Sequence, residues 1–324
     1  MKMLKYAASV LALATLGMQP AARAQTYPDR PIRLIVPYAA GGGTDVFART
    51  ISTRMGQELG QPLVVENRPG AGTIIGAETV ARAEPDGYTL LLGDSGTYSV
   101  NPSLYKKLPY DPVKDFTPVT LTARFALALV VHPSMPAKTV QEFVDLVRAH
   151  PGKYDFASPG AGSPHHLAME MFRQKAHLQL THVPYKGNGP ALQDLLAGRI
   201  PCMFLDLVTI RQHVENGRLR VLAVASTQRL EQLPGVPTIG ESVSPGFEAW
   251  AWQGLAAPAR TPPAVVARIN AAYARTVADP DIKRRLHDMS LDLTPGTAEQ
   301  MAAHVKSEIV KWAAIVKEAN ITLD

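Results

Sequence analysis

The chain predicts an α/β fold of two lobes, each a mostly parallel sheet flanked by helices. Apolar runs alternate with amphipathic stretches along most of its 324 residues, which is the pattern of βαβ units. In both halves a glycine-bearing loop follows the carboxyl end of a predicted strand. The length exceeds one ordinary core, so two lobes are expected.

The first round is strand Ile32 to Val36, then a helix from about Thr44 to Leu59 with Phe47, Ile51, Met55 and Leu59 on one side, stopped by Gly60. Strand Leu63 to Val65 follows, then the turn Asn67-Arg-Pro-Gly70, a helix from about Thr73 to Arg82, and strand Tyr88 to Leu92. The apolar run Phe125 to Val131 opens a second series. Its first helix, Thr139 to Ala149, places Val140, Phe143, Val144 and Val147 at helical spacing, with Thr139 as N-cap and Glu142 as capping-box partner. Strand Tyr154 to Ala157, helix Pro164 to Lys175, strand Thr181 to Val183 and helix Pro190 to Leu196, closed by Gly198, come next. Strand Cys202 to Leu205, helix Val208 to Asn216, closed by Gly217, and strand Leu219 to Ala225 complete the series.

The tail differs. A short apolar stretch, Trp250 to Ala257, precedes helices starting at Pro262-Pro263 and around Asp281, and a final helix from about Ala298 to Ala319. In that helix Met301, Val305, Ile309, Trp312 and Val316 form an apolar stripe that must dock, and the first lobe is its expected partner. The chain then crosses between lobes twice, near Ala123 and between about Ser226 and Ser242, where Pro234 and Pro237 suit a connection. Lobe 1 is thus read as residues 25–124 plus 230–324, and lobe 2 as 125–229.

Residues 1–24 read as a cleaved export signal: Lys2 and Lys5, an apolar core from Tyr6 to Met18, then Ala22-Arg-Ala24. The apolar core falls short of the ~20 residues that a membrane span needs. The mature protein is therefore expected to be soluble and outside the cytoplasm. Lys2, Lys5 and Arg23 leave with the signal and no acid does, which takes the formal charge from +5 to +2. So small a charge gives no support to nucleic-acid binding. One cysteine, Cys202, rules out an intramolecular disulfide and lies in an apolar run, as a buried, inert thiol would.

Three loops carry the chemistry: Ala39 to Asp45, Ser158-Pro-Gly-Ala-Gly-Ser-Pro-His165, and Pro184-Tyr-Lys-Gly-Asn-Gly189. Each follows a predicted strand, where open α/β sheets bind ligands. The first leaves backbone N–H groups uncovered at the positive end of a helix, a seat for an anion. Taken singly, each loop is equally well a tight turn that needs glycine; matched loops in both halves favour a ligand held between them.

Nucleotide chemistry fails on the residues. No Gly-x-x-x-x-Gly-Lys-Ser/Thr occurs, and in Gly70-Ala-Gly72-Thr-Ile-Ile-Gly76 an isoleucine, Ile75, holds the third-glycine position of a dinucleotide fingerprint. Gly93-Asp-Ser95-Gly-Thr97 approaches a nucleophile elbow, but Thr97 replaces its closing glycine. Ser95 and Thr97 are better read as hydroxyl donors to a ligand, with an exported serine hydrolase using Ser95 as the rival. The histidines lack metal-ligand spacing, so neither metal nor cofactor is expected.

Pro37-Tyr-Ala-Ala-Gly-Gly-Gly-Thr-Asp45, Glu66-Asn-Arg-Pro-Gly-Ala-Gly72, Pro85-Asp-Gly-Tyr-Thr-Leu90, Asn101-Pro-Ser-Leu-Tyr105, Thr181-His-Val-Pro-Tyr-Lys-Gly187 and Gly217-Arg-Leu-Arg-Val-Leu-Ala223 together resemble the Bug family. These are TctC-like extracytoplasmic solute receptors of tripartite tricarboxylate transporters. The resemblance implies a periplasmic-binding-protein-like fold, with no enzymatic activity, whose lobes close on a small carboxylate: a dicarboxylate, tricarboxylate, amino acid or aromatic acid. It also implies a monomer that delivers its ligand to membrane permease subunits or signals to a periplasmic sensor. Carried onto this chain, the ligand residues are Tyr38, Ala40, Gly41, Gly42, Thr44 and Asp45 of the first loop, to which the hydroxyl reading above adds Ser95 and Thr97 of the third strand's loop. In the second lobe they are Ser158, Pro159, Gly162, Ser163, His166, Tyr185, Lys186, Gly187 and Asp206. Thr73 departs from the family pattern, as do Pro201-Cys202 and Leu205, which stands where an Asp is common, with Asp206 next in line.

Overall fold

The computed structural model describes residues 27–318; the export signal read over residues 1–24 lies outside them. The first rounds form where the apolar pattern puts them: β1 (Ile32–Val36), α1 (Gly43–Leu59), β2 (Leu63–Asn67), α2 (Ile74–Ala81) and β3 (Thr89–Asp94). β1 pairs in parallel with both β2 and β3. α1 buries Phe47, Ile51, Met55 and Leu59 and ends at Gly60, whose left-handed φ of 83° lets its N–H reach Gly56 O.

After β3 the chain turns at once into a buried π-helical turn, Gly96–Val100, and a short helix α3 (Asn101–Leu104). Gly, Thr and Ser are weak helix formers, so no pattern announces these turns. β4 (Phe116–Val131) is likewise longer than its apolar run 125–131. Its first half holds Thr117, Pro118 and Arg124 and bulges twice against its partner, which hides the strand period.

The second series follows: α4 (Val140–Ala149), β5 (Tyr154–Ser158), α5 (Pro164–Lys175), β6 (Leu180–Pro184), α6 (Asn188–Leu196), β7 (Cys202–Asp206), α7 (Leu207–Glu215) and β8 (Arg220–Val224). At α4 the Thr139 hydroxyl accepts the Glu142 N–H at 3.1 Å. The Glu142 carboxylate, however, takes the N–H of Lys138, one residue before the cap. Cys202 is buried, its thiol is pushed up by that burial, and it donates only to Asp155 O at 3.4 Å. The remaining elements are α8 (Ile239–Ser242), β9 (Trp250–Pro258), α9 (Pro263–Ala278), α10 (Pro280–Asp288), β10 (Leu291–Leu293) and α11 (Ala298–Glu318).

The strands run in the order β2-β1-β3-β9-β4-β7-β5-β6, with β8 and β10 added to β4. β4 belongs to both lobes. It pairs with β9 from Phe116 to Ala126 and with β7 from Leu127 to Val131, antiparallel in each case. The segment after β8 stays against lobe 2: Ala249 donates to Ala225 O, and Phe247 packs edge-on against Phe172 of α5. α11 buries Met301 and Val305 on lobe 1, while Trp312 and Val316 share a cluster with Leu104 of lobe 1 and Leu167 of α5.

Candidate functional site

The change of partners along β4 puts a cavity at the centre of the sheet. In register, Leu127 faces Asp206 of β7, and Asp94 of β3 faces Gln253 of β9. The ends of two strands from different lobes thereby meet. Four helices also begin there, contributing Gly42, Gly43 and Thr44 (α1), His165 (α5), Asn188 (α6) and Asp206, the residue before α7. Tyr38, Phe125, Pro159 and Ala251 complete the wall. The cavity measures about 20 Å³, room for a water or two while the lobes are together.

No side chain caps α1, so its first N–H groups lie open to the cavity. The Asp206 carboxylate reaches across from lobe 2 to that end, since a Cβ built on Gly43 would meet its Oδ2 at 2.5 Å. Asp206 is in turn held by its own lobe: the Asn188 amide donates to Oδ2 at 2.8 Å, and His165 Nε2 to Oδ1 at 3.0 Å. From lobe 1 the Tyr38 hydroxyl donates to Asp94 Oδ2, while the Thr97 N–H and hydroxyl donate to Oδ1 at 3.0 Å each. Burial raises the Asp94 pKa in spite of those donors, and burial next to Asp94 raises that of Tyr38. Three cavity-lining side chains keep a buried atom without a partner: His165 Nδ1, Asn188 Oδ1 and Gln253 Oε1.

Of the residues expected from the sequence, Tyr38, Gly42, Thr44, Pro159 and Asp206 line this cavity. Asp206 does face it. Ala40, Gly162, Lys186 and Gly187 lie beside it, where the lobes touch. The Ala39 N–H donates to Lys186 O at 3.1 Å, and a Cβ on Gly189 would meet Ala40 O at 2.6 Å. Gly96 approaches Gly162 O and Gly72 approaches Ala161 O in the same way, at 3.0 and 2.8 Å from the built Cβ. These glycines therefore form a seam, and their missing side chains allow backbone to meet backbone.

The rest brace the loops. Asp45 turns back to accept the Gly41 N–H (3.0 Å), the Asn67 amide (2.9 Å) and Arg49 Nε (3.0 Å). Thr97 bonds Thr73 and Asp94. Ser158 donates to Gly160 O and meets His182 Nε2 at 2.6 Å; Ser163 caps α5. Tyr185 gives its hydroxyl to Asp194 at 2.7 Å. His166 lies inside lobe 2, stacked 4.0 Å from His182, with Nδ1 accepting the Gly162 N–H. Gly41 is exposed. Ser95 is buried and its hydroxyl has no partner, so no histidine activates it as a nucleophile.

Sequence reading missed Asp94, Phe125, His165, Asn188 and Gln253. His165 and Asn188 carried a usable signal, because each opens a helix directly after a glycine loop. Asp94 and Gln253 did not, since only the β3 and β9 register brings them together.

Residues 47–321 match the family described as tripartite tricarboxylate transporter family receptor. Protein BugT of Bordetella pertussis is 34% identical over 312 residues, 96% of each chain. A solved R. palustris protein, Rpa4515 with adipate, is 34% identical with a TM-score of 0.89, covering 92% of this chain and all of its own. MatC from Rhodopseudomonas palustris with bound malate is 36% identical with a TM-score of 0.85, covering 90% of this chain and all of its own.

Proposed function

The chain belongs to the tripartite tricarboxylate transporter receptor family, a family of solute receptors and not of enzymes, and on that premise we propose that it captures a small carboxylate between its lobes. The observation that carries this reading is the uncapped start of α1, which faces a cavity walled by both lobes and holding buried polar atoms without partners. Related receptors solved with adipate and malate support a carboxylate ligand.

A helix end contributes ~0.3–1 kcal/mol per exposed contact, whereas micromolar binding needs about 8 kcal/mol. Several contacts in a closed, dry cleft are therefore required, and the glycine seam is the device that lets the cleft close. The moving bodies in this reading are residues 125–229, together with the following segment to Ala249 that packs on them, against the rest of the chain, with bending where β4 changes partners at Ala126 and Leu127. The receptor works in the periplasm after loss of residues 1–24, and its closed form is what permease subunits sense.

Refolded full-length protein titrated with a panel of di- and tricarboxylates, aromatic acids and amino acids tests capture. A ligand at a hundred times its Kd stabilises the fold by about 2.7 kcal/mol, a shift in Tm that is readily measured. Silence across the panel overturns the reading. Delivery to a permease is checked by deleting the gene and scoring growth on single carbon sources; unchanged growth on every ligand of the panel rejects it.

A further inference from the structure

Two acidic side chains face this cavity, Asp94 from lobe 1 and Asp206 from lobe 2, each with donors on both oxygens, and among the described residues neither Lys nor Arg lines it. The four helix starts supply about half a positive charge each. The two carboxylates match that sum, so the field that an arriving anion meets is close to balanced. A ligand bearing two negative charges is left uncompensated there, whereas one of no net charge is not.

The unpartnered atoms point the same way. Asp206 can only accept, so Asn188 turns its NH₂ to it and leaves Oδ1 bare. Gln253 donates to Thr44 and leaves Oε1. Both oxygens are acceptors, and both residues are more than nine-tenths buried. Buried acceptors demand donors, and an ammonium group brings three.

We propose that this cleft selects a monocarboxylate carrying an ammonium group, an amino acid in its zwitterionic form, over dicarboxylates of the same length. The carboxylate goes to the start of α1 and the ammonium to the acceptors around Asp94 and Asp206. This rests on the reading of the protein as a carboxylate receptor and names the ligand class within it.

Calorimetric titration of the full chain with matched pairs tests it: malonate against 3-aminopropanoate, succinate against 4-aminobutyrate, and adipate against 6-aminohexanoate. In each pair that binds, the amino member is expected to bind about tenfold tighter than its partner. Asp94→Asn keeps the shape and removes one charge. It should weaken the amino ligand and strengthen the dicarboxylate, opposite changes that misfolding does not produce. A dicarboxylate that binds as well as its amino partner, or an Asp94→Asn variant that weakens both alike, overturns the selectivity while leaving carboxylate capture standing. Binding of bare amines without any carboxylate overturns the receptor reading itself, and silence from every probe overturns both.

Discussion

The carbonyl oxygen of Ala40 in lobe 1 stands 2.6 Å from the point where a side chain on Gly189 of lobe 2 would begin. Gly189 is the second residue of α6, a position where alanine is a better helix former than glycine. Gly189→Ala should therefore leave the open protein at least as stable and yet obstruct closure. Overpacking of this kind costs about 1–3 kcal/mol, so ligand affinity should fall by a factor between about 5 and about 160 with an unchanged ligand-free Tm. Unaltered affinity would remove the seam from the binding step.

The stacked pair His166 and His182 should make the fold acid-sensitive. Burial lowers the pKa of His166 to about 3 and that of His182 to about 4 from an ordinary 6.5. Their stabilisation is complete above pH 6.5 and is lost as pH falls toward the folded values, because the unfolded chain takes up the protons first. By pH 5 each ring accounts for about 2 kcal/mol. Urea midpoints at pH 7 and pH 5 should differ accordingly, and His182→Gln should shrink that difference by about half. A variant with the full wild-type difference would assign the acid sensitivity elsewhere.

Glu308 ties the tail to lobe 1. Its Oε2 accepts the indole N–H of Trp252 at 3.1 Å and that of Trp312 at 2.9 Å, and Lys311 bonds its other oxygen. Glu308→Ala leaves two buried donors without an acceptor and should cost about 2–4 kcal/mol, read from urea unfolding followed by tryptophan fluorescence. Glu308→Gln, which keeps one acceptor, should cost less than the alanine change. Equal losses for the two variants would mean that packing and not hydrogen bonding secures the tail.

The apolar pattern told where strands and helices lie, because burial sets that pattern directly: α1, α5 and the stripe of α11 all appear where their periods predicted. It did not tell the first half of β4 or the buried turns after β3, where polar and small residues are covered by neighbours remote in sequence. At the site, helix starts were legible from glycine loops, and so were Gly42, Thr44 and Pro159. Side-chain direction was not. His165 and His166 are adjacent, yet one faces the cavity and the other the interior of lobe 2, a choice made by the rotation of α5 on its sheet. Asp94 and Asp206 reach one cavity through strand register in two lobes, which no local window contains.

Asp45 offers the sharpest separation of a brace from a ligand contact. It is buried at the third position of α1, its carboxylate tied to Gly41, Asn67 and Arg49. Burial raises its pKa and those bonds more than reverse the effect, so the carboxyl is held below the ordinary range. The stabilisation it supplies is thus present at neutral pH and lost only as pH drops below about 4. Asp45→Ala should lower the stability of the ligand-free protein by about 2 kcal/mol and weaken every ligand by a similar factor, whatever its charge, because the loop loses its preset shape. A residue that touched the ligand would behave otherwise: ligand-free stability would hold while affinity changed with the ligand's charge. Thermal unfolding without ligand, set beside titrations with one amino and one dicarboxylate probe, decides between the two.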